Sequence, residues 1–164
     1  MAINTETIIQ RLFSIVKAVA ASPDNPVSFN LMSRRFRHFK DVDPSLYPAF
    51  FQFQNPTRNT VGGVRKLPVE TIGVSWFVYL PGSQSLDDVV SPALNNYYDI
   101  LSDALLTTSF VAGVAILNGQ HAGMPQTLGG LATQCYKEGD GLTDEGLLET
   151  PSLIHIPIKI LVGI

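Results

Sequence analysis

Cysteine is almost absent from this chain of 164 residues, and Cys135 is the only one. A single thiol excludes an intramolecular disulfide and a metal site built from several thiolates. Cys135 lies in the segment Leu131–Glu138, which predicts a strand, and it is either a small buried hydrophobe or a reactive thiol. Because the nearby sequence offers no paired histidine or asparagine, we favour the buried hydrophobe.

Charged residues are also scarce, at 15% of the chain, while hydrophobic residues make up 45% and the mean hydropathy is +0.18. That composition is apolar for a soluble monomer of this size, and large exposed apolar patches generally mark interaction sites. We therefore expect the protein to form an oligomer. The formal net charge of −3 argues against general nucleic-acid binding, which usually involves a basic domain.

Long hydrophobic runs and a secretory leader are missing as well. The first residues are polar and acidic and lack a basic region, so they do not form a convincing signal peptide. No stretch of about 18 uncharged apolar residues could cross a bilayer, since the nearest, Leu105–Leu117, is too short. These features predict cytoplasmic synthesis and no membrane partner, and the length predicts a single domain over residues 1–164.

Recognisable catalytic motifs are missing too. The sequence contains no Walker loop, no dinucleotide-binding glycine pattern after a strand, no zinc-protease motif and no nucleophile elbow. His38, His121 and His155 fall on different predicted elements, so ordinary surface or edge histidines are a better interpretation than a metal site. We therefore predict no cofactor, no metal and no enzymatic activity.

An acidic cluster follows the strand that contains Cys135, namely Asp140, Asp144, Glu145 and Glu149. General acid–base catalysis would require a pocket that raises the pKa of one of these carboxyl groups. The cluster lies instead in a glycine-rich turn that we expect to be open to water. A solvated turn or an electrostatic docking patch is therefore the favoured interpretation.

Two amphipathic helices are predicted. The first has Asn4 or Thr5 as its N-cap and ends at the cluster that starts with Ser22. Its one apolar stripe is formed by Ile8, Ile9, Leu12, Phe13, Val16, Val19 and Ala20. The second has Ser91 as N-cap and Pro92 at its first position, and its apolar residues are Leu94, Tyr97, Tyr98, Leu101 and Leu105. Both helices are expected to pack on one face of a sheet.

The strands of that sheet are predicted from β-branched, aromatic and alternating segments. Residues 28–39 predict a strand with a basic edge or face, Tyr47–Gln54 a buried strand, and Val69–Leu80 the clearest strand of all. Between the last two, Asn55–Lys66 is rich in glycine, asparagine, proline and arginine, which predicts a long exposed hairpin loop.

The final segment alternates isoleucine with other residues, a period of two that buries one face of a strand. The buried residues are predicted to be Ile154, Ile156, Ile158 and Ile160. Pro157 lacks an N–H donor, which places this strand at a sheet edge or a bulge. The strand of Cys135 and this one would enclose the acidic turn.

The segment from Leu106 to Pro125 is apolar, glycine-rich and poorly periodic. It is either an inserted hairpin over Phe110–Leu117, returning at Asn118-Gly119, or an ordered loop that docks on a neighbour.

A basic cluster, Arg34, Arg35, Arg37, His38 and Lys40, has three possible roles. It is a solvated strand face, a patch that pairs with the acidic turn of an adjacent copy, or a patch that contacts DNA passing through a lumen. Exposed ion pairs alone contribute little stability.

The order of several motifs along the chain resembles the tail-terminator, or tail-completion, proteins of tailed bacteriophages. The motifs are SRRFRHFKDVDPSLYPAFFQFQ, VSWFVYLPG, SPALNNYYDILSDAL, QTLGGLATQCYKEG and IPIKILV, and they cover most of residues 29–162. Residues 106–125 are not matched, because members of the family usually have a shorter connection there. Each motif alone is weak, so the specific part of the resemblance is their order.

The resemblance implies an α+β fold: a mixed or antiparallel sheet, two helices on one face, and long exposed hairpin loops. It also implies a ring, expected to be a hexamer, that caps the polymerised tail tube in the virion's tail–neck region after assembly in the host cytoplasm. The partners would be other copies of the chain, the tail tube protein and the head–neck connector, with DNA as a possible passing contact. A connector stopper or another minor neck protein is the alternative, and an enzyme or nucleic-acid-binding module is disfavoured.

A ring that caps a tube needs lateral contacts between copies and loops that contact its two axial neighbours. The candidate lateral contacts are Arg34, Arg35 and Arg37 of one copy against Asp140, Asp144 and Glu145 of the next. The candidate tube and neck contacts are Arg58, Asn59, Arg65, Lys66, Phe110, Val111, Ile116 and His121.

Overall fold

Six strands form one mixed sheet in the residues that the computed structural model describes, which are 4–24, 26–63, 66–83, 85, 87, 89–106, 127–147 and 150–163. The strands are β1 (Leu31–Ser33), β2 (Ala49–Gly63), β3 (Lys66–Leu80), β4 (Gln134–Lys137), β5 (Leu142–Asp144) and β6 (Ser152–Gly163). Their order is β1-β2-β3-β6-β4, with β5 also paired to β6. β1 is parallel to β2, and the other described pairs are antiparallel. With two helices, the fold is α+β, as predicted.

The first helix, α1 (Thr5–Ala21), forms where the sequence predicts it. Asn4 is the N-cap, and its side-chain oxygen accepts a 3.1 Å hydrogen bond from the backbone N–H of Thr7. Most of the predicted apolar stripe is buried, whereas its last two residues, Val19 and Ala20, are half-buried. The buried residues are Ile8, Ile9, Leu12, Phe13 and Val16.

The second helix, α2 (Ser91–Ala104), starts one residue earlier than predicted, because Val90 and not Ser91 is its N-cap. The hydroxyl of Ser91 donates instead to the carboxylate of Glu145, so it does not cap the helix. The buried residues of α2 join the same core cluster as those of α1. Both helices therefore pack on one face of the sheet, as predicted.

The terminal strand β6 lies inside the sheet, so its predicted position at an edge is wrong. It pairs with β3 on one side and with β4 and β5 on the other. The carbonyl of Pro157 accepts a 2.8 Å hydrogen bond from the N–H of Glu138. The N–H and C=O of a residue in an antiparallel strand point to the same neighbour. The position without an N–H, Pro157, therefore lies between the residues of β6 that pair with β4 and those that pair with β5.

The predicted loop Asn55–Lys66 is also wrong, because β2 and β3 stay paired from Ala49↔Tyr79 to Gly63↔Lys66. Part of the segment that suggested a loop, residues 55–57, lies where the register of the β2–β3 pairing shifts, between Gln54 and Arg58 of β2. A side chain at Gly73 would lie 2.8 Å from the Nδ2 atom of Asn55, so the glycine leaves room for this bulge.

The strand predicted over residues 28–39 is confined to β1, three residues long. After Ser33 the chain turns out of the sheet, and the Ser33 hydroxyl accepts a 3.0 Å hydrogen bond from the N–H of Arg35. Short 3-10 turns follow at Phe39–Asp41 and Pro44–Leu46. The basic residues are therefore not carried by a strand.

Two further differences concern the segment around the acidic cluster. β4 begins at Gln134 rather than Leu131, because a 3-10 turn over Leu128–Gly130 precedes it, with positive φ at each of its residues. The predicted acidic turn contains a strand, β5, whose Asp144 pairs with Leu153 of β6.

The main core lies between the helices and one face of β2, β3, β4 and β6. The alternation predicted for β6 is confirmed, since Ile154, Ile156, Ile158 and Ile160 are buried in this core. Gln52 is a buried polar residue in the same layer: its Nε2 donates to the carbonyl of Ile9 at 2.9 Å, and its Oε1 accepts from the indole N–H of Trp76 at 3.0 Å. The amide thus links α1 to β2 and β3.

Candidate interaction surface

The face of the sheet that points away from the helices carries a row of aromatic and apolar side chains. Residues paired across antiparallel strands share a face, and the pairs Phe51↔Phe77, Phe77↔His155 and Leu142↔His155 extend the row across four strands. The rings of Phe77 and His155 are stacked, with centroids 4.6 Å apart. Burial lowers the pKa of His155, which favours the neutral ring in this stack.

Residues 34–47, which we call the crossing segment, leave β1 and cross this face. Phe36 anchors the segment, because its ring packs against three rings of the sheet at centroid distances of 4.7 Å (Phe77), 6.1 Å (Phe51) and 6.3 Å (Phe53). Such tilted and edge-on arrangements are favourable for aromatic pairs.

Two tyrosine hydroxyls fix the backbone of the crossing segment. Tyr79 donates to the carbonyl of Arg37 at 3.0 Å, and Tyr47 donates to the carbonyl of Phe39 at 3.3 Å. Burial, and then the proximity of Tyr47, raises the pKa of Tyr79 to about 12. Both hydroxyls therefore remain donors at neutral pH, and the course of the segment over the sheet is defined.

A groove of about 510 Å³, which we call the aromatic groove, lies between the crossing segment and the connection from β5 to β6. Strand residues and both flanking segments line it: Phe77, Tyr79 and Leu153; Phe36, His38 and Phe39; and Asp144, Gly146, Leu147, Thr150 and Pro151. The groove combines apolar and aromatic walls with one carboxylate at its side. It can bind an apolar group that is accompanied by a positive charge.

Large apolar side chains remain exposed on this face. The exposed fractions are 37% for Phe36, 40% for Phe53, 51% for Leu142 and 77% for Leu147. Scattered exposed hydrophobic residues are ordinary, but side chains concentrated along one sheet face and groove are typical of an interaction surface.

The basic residues of the predicted lateral contact lie in the crossing segment, on one side of the aromatic groove. Arg34 is bound within its own chain, because its guanidinium group contacts the carboxylate of Glu6 at 2.5 and 3.0 Å. The hydrogen bond from Arg34, and a second one from Gln10, lower the pKa of Glu6 to about 2. Arg35 and Arg37 are exposed, and neither forms an ion pair with any residue that the structure describes.

Of the acidic residues of that contact, only Asp144 lines the aromatic groove. Asp144 ends β5 and accepts a 2.9 Å hydrogen bond from the N–H of Gly146. Glu145 accepts from the hydroxyl of Ser91, and Asp140 lies in the exposed connection between β4 and β5. The structure therefore places Asp144 across the groove from the crossing segment, whereas Glu145 is bound to α2. Among the described residues, the predicted basic and acidic side chains form no direct ion pair with each other.

The predicted axial contacts are placed only in part. Arg58 and Asn59 lie on β2, paired with Ile72 and Thr71, and Lys66 begins β3 opposite Gly63. They belong to the hairpin rather than to a loop. The remaining candidates lie outside the described residues, and they are Arg65, Phe110, Val111, Ile116 and His121. The segment for which we gave two alternatives, a hairpin or a docked loop, also lies outside them apart from Leu106.

Cys135 lies in the main core with an exposed fraction of 0%, and burial raises the pKa of its thiol to about 12. The interpretation as a buried hydrophobe is confirmed. Among the described residues, histidine, cysteine and carboxylate side chains form no group that could bind a metal ion. Within the same part of the chain, no helix is both long and apolar enough to span a membrane.

Sequence reasoning missed the aromatic groove, although part of its signal was present. The alternation of β6 leaves Leu153 and His155 on the face opposite the buried isoleucines, and β3 leaves Phe77 and Tyr79 there. Large side chains on both faces of neighbouring strands indicate a second packed or binding layer.

No protein-family model matches this chain, and the search of curated proteins finds no match.

Proposed function

We propose that this protein is a structural virion protein that assembles as a ring, expected to contain six copies, and caps the growing end of a bacteriophage tail tube. The observation that carries the proposal is the exposed aromatic face of the sheet, with the basic crossing segment on one side and the acidic residues near β5 on the other. A surface of this kind supports binding to proteins. The order of motifs along the chain favours the tail terminators among such proteins.

Capping requires differential binding rather than chemistry. The ring must bind the open end of the tube more tightly than the next tube subunit does, and its other side must then bind the head–neck connector. Contacts that repeat head to tail close into a ring when their rotation is completed, and otherwise form a filament. The β2–β3 hairpin and the segment after Leu106 are the proposed axial contacts, and DNA would pass through the lumen.

Purified protein should appear in electron micrographs as six-fold rings. Added to tail tube protein during polymerisation, it should bind one tube end and shorten the tubes. Continued tube growth at saturating protein would contradict capping. A neck protein or connector stopper, the alternative, would bind the isolated connector and leave tube length unchanged.

A further inference from the structure

The two flanks of the aromatic groove are complementary to each other, and we infer that a second copy of this chain binds there, with the basic flank of one copy against the acidic flank of the next. The crossing segment of one copy would lie against the segment from Asp140 to Leu147 of the next. This inference rests on the proposed function only for the expectation that the contact repeats around a ring.

Each half of the surface combines exposed apolar groups with charged ones. The basic side chains of the crossing segment lie within residues 34–40, before its two exposed aspartates, Asp41 and Asp43. The crossing segment presents Phe36, exposed by 37%, beside Arg35 and Arg37. The facing segment presents Leu142 and Leu147, exposed by 51% and 77%, beside carboxylates. The two halves are both apolar at their centre and carry opposite charges. A molecule that presents one half can therefore bind the other half.

Charges of both signs that lack an ion pair favour another copy as the partner. Arg34 is already bound to Glu6, whereas the guanidinium groups of Arg35 and Arg37 have no ion pair among the described residues. Asp144 makes only a local hydrogen bond, to the N–H of Gly146, in the described part of the chain. Opposite charges that are not paired within one chain can pair between chains and set their register.

Apolar contact supplies the affinity, and the charges select the partner. Burying Phe36 and the two leucines removes apolar surface from water, while exposed ion pairs at the rim contribute mainly to specificity and the association rate. Like charges brought together at such a contact repel each other, so reversing one flank should weaken association.

The test uses two charge-reversed variants of the full chain. Arg35→Glu/Arg37→Glu makes the basic flank acidic, and Asp140→Lys/Asp144→Lys makes the acidic flank basic. Glu145 is left unchanged because it binds Ser91. In sedimentation velocity at low salt, each variant alone should associate at least about tenfold more weakly than the native protein.

An equimolar mixture of the two variants should recover association, because every contact then joins opposite charges. Leu147→Ser, at a groove position exposed by 77%, should weaken association and should not be rescued by either charge variant. Asp99→Lys/Asp103→Lys places the same charge change on exposed positions of α2 and should associate normally. Asp144→Asn keeps the acceptor for the Gly146 N–H, so a loss of association in this variant reports charge rather than local folding.

Two outcomes overturn the inference: a native protein that stays monomeric, or folded charge variants that associate as the native protein does. In the second case, rings that still cap tubes would preserve the proposed function and leave this face for another partner. Conversely, a closed dimer that shows the charge-swap rescue but does not cap tubes would support the inference and remove the proposed function.

Discussion

Gly82 has no room for a side chain. A Cβ atom there would lie 1.6 Å from the carbonyl oxygen of Thr150 and 2.7 Å from its carbonyl carbon. Both neighbours are backbone, so the chain that leads into β6 would have to move. We expect Gly82→Ala to lower the free energy of unfolding in urea by about 1–3 kcal/mol, as overpacking does elsewhere.

Gly163→Ala is the matched control, because the nearest atom to its Cβ would be the hydroxyl oxygen of Thr133 at an ordinary 3.7 Å. Equal unfolding midpoints for the two variants would contradict the close approach between Gly82 and Thr150.

Cys135 should be unreactive in the folded protein. Burial raises the pKa of its thiol from 9.0 to about 12, so at pH 8 the thiol is both neutral and inaccessible. Because burial disfavours the thiolate, the folded state should lose stability relative to the unfolded chain as the pH rises from about 9 to about 12, with no such effect below pH 9. A thiol reagent at pH 8 should label the native chain slowly and the denatured chain at once.

The control for this labelling is Cys135→Ala/Thr133→Cys, which moves the thiol to a nearby exposed position. Its fast labelling in the folded state would show that the reagent reaches this part of the surface. Fast labelling of native Cys135 as well would mean that β4 opens readily.

At the scale of elements, the sequence predicts the buried face of a helix or strand when that face follows from the periodicity of a single segment. The stripe of α1 and the isoleucines of β6 are confirmed because each buries one face, and that requirement leaves a period in the sequence. The position of β6 inside the sheet was not predictable, because Pro157 removes a donor where β4 has ended and β5 has not begun. Whether the N–H missing at Pro157 is needed therefore depends on where two other strands end and begin, which the sequence of β6 alone does not contain.

Short and polar elements escape prediction for a related reason. β5 has three exposed residues and is defined only by its pairing with β6, so no apolar pattern marks it. The basic residues after Ser33 alternate with others, yet they follow a turn onto the second sheet face, where Phe36 finds its packing partners. The aromatic groove is built from several of these elements. Single segments therefore predicted its charged residues but not the strand residues that line it, Phe77, Tyr79 and Leu153.

Gln52 is the polar link between the two layers, and its removal tests how the layers are joined. Gln52→Leu leaves the indole N–H of Trp76 without a partner in a buried site, which should lower the free energy of unfolding by about 1–3 kcal/mol. Trp76→Phe removes the other side of that bond and also leaves a cavity. In a double-mutant cycle, the pair should be less destabilising than the sum of the single changes.

An additive cycle would argue against the bond between Gln52 and Trp76. Gln54→Leu, two residues along β2 at a half-buried position, is the control for the added apolar side chain and should change stability far less.

At the scale of the whole molecule, the two sheet faces have different roles. The helices cover one face completely enough to bury alternate residues of β3 and β6, and they supply the main core. The other face has a smaller core under the crossing segment, made of Val42, Tyr47, Ala49, Phe51 and Tyr79. The low content of charged residues thus has two structural consequences: apolar cores on both faces of the sheet, and an exposed aromatic surface on one of them.

Salt should separate the two forces that we assign to this exposed surface. Raising NaCl from about 0.1 M to about 1 M shortens the Debye length from about 10 to about 3 Å, which screens exposed charges. Sedimentation velocity should then show weaker but persistent association, because Arg35, Arg37 and Asp144 lose their attraction while Phe36 and Leu147 remain buried between copies. Leu147→Ser should weaken association at both salt concentrations. An association that is unchanged or strengthened by salt would contradict the charged flanks and leave apolar contact alone.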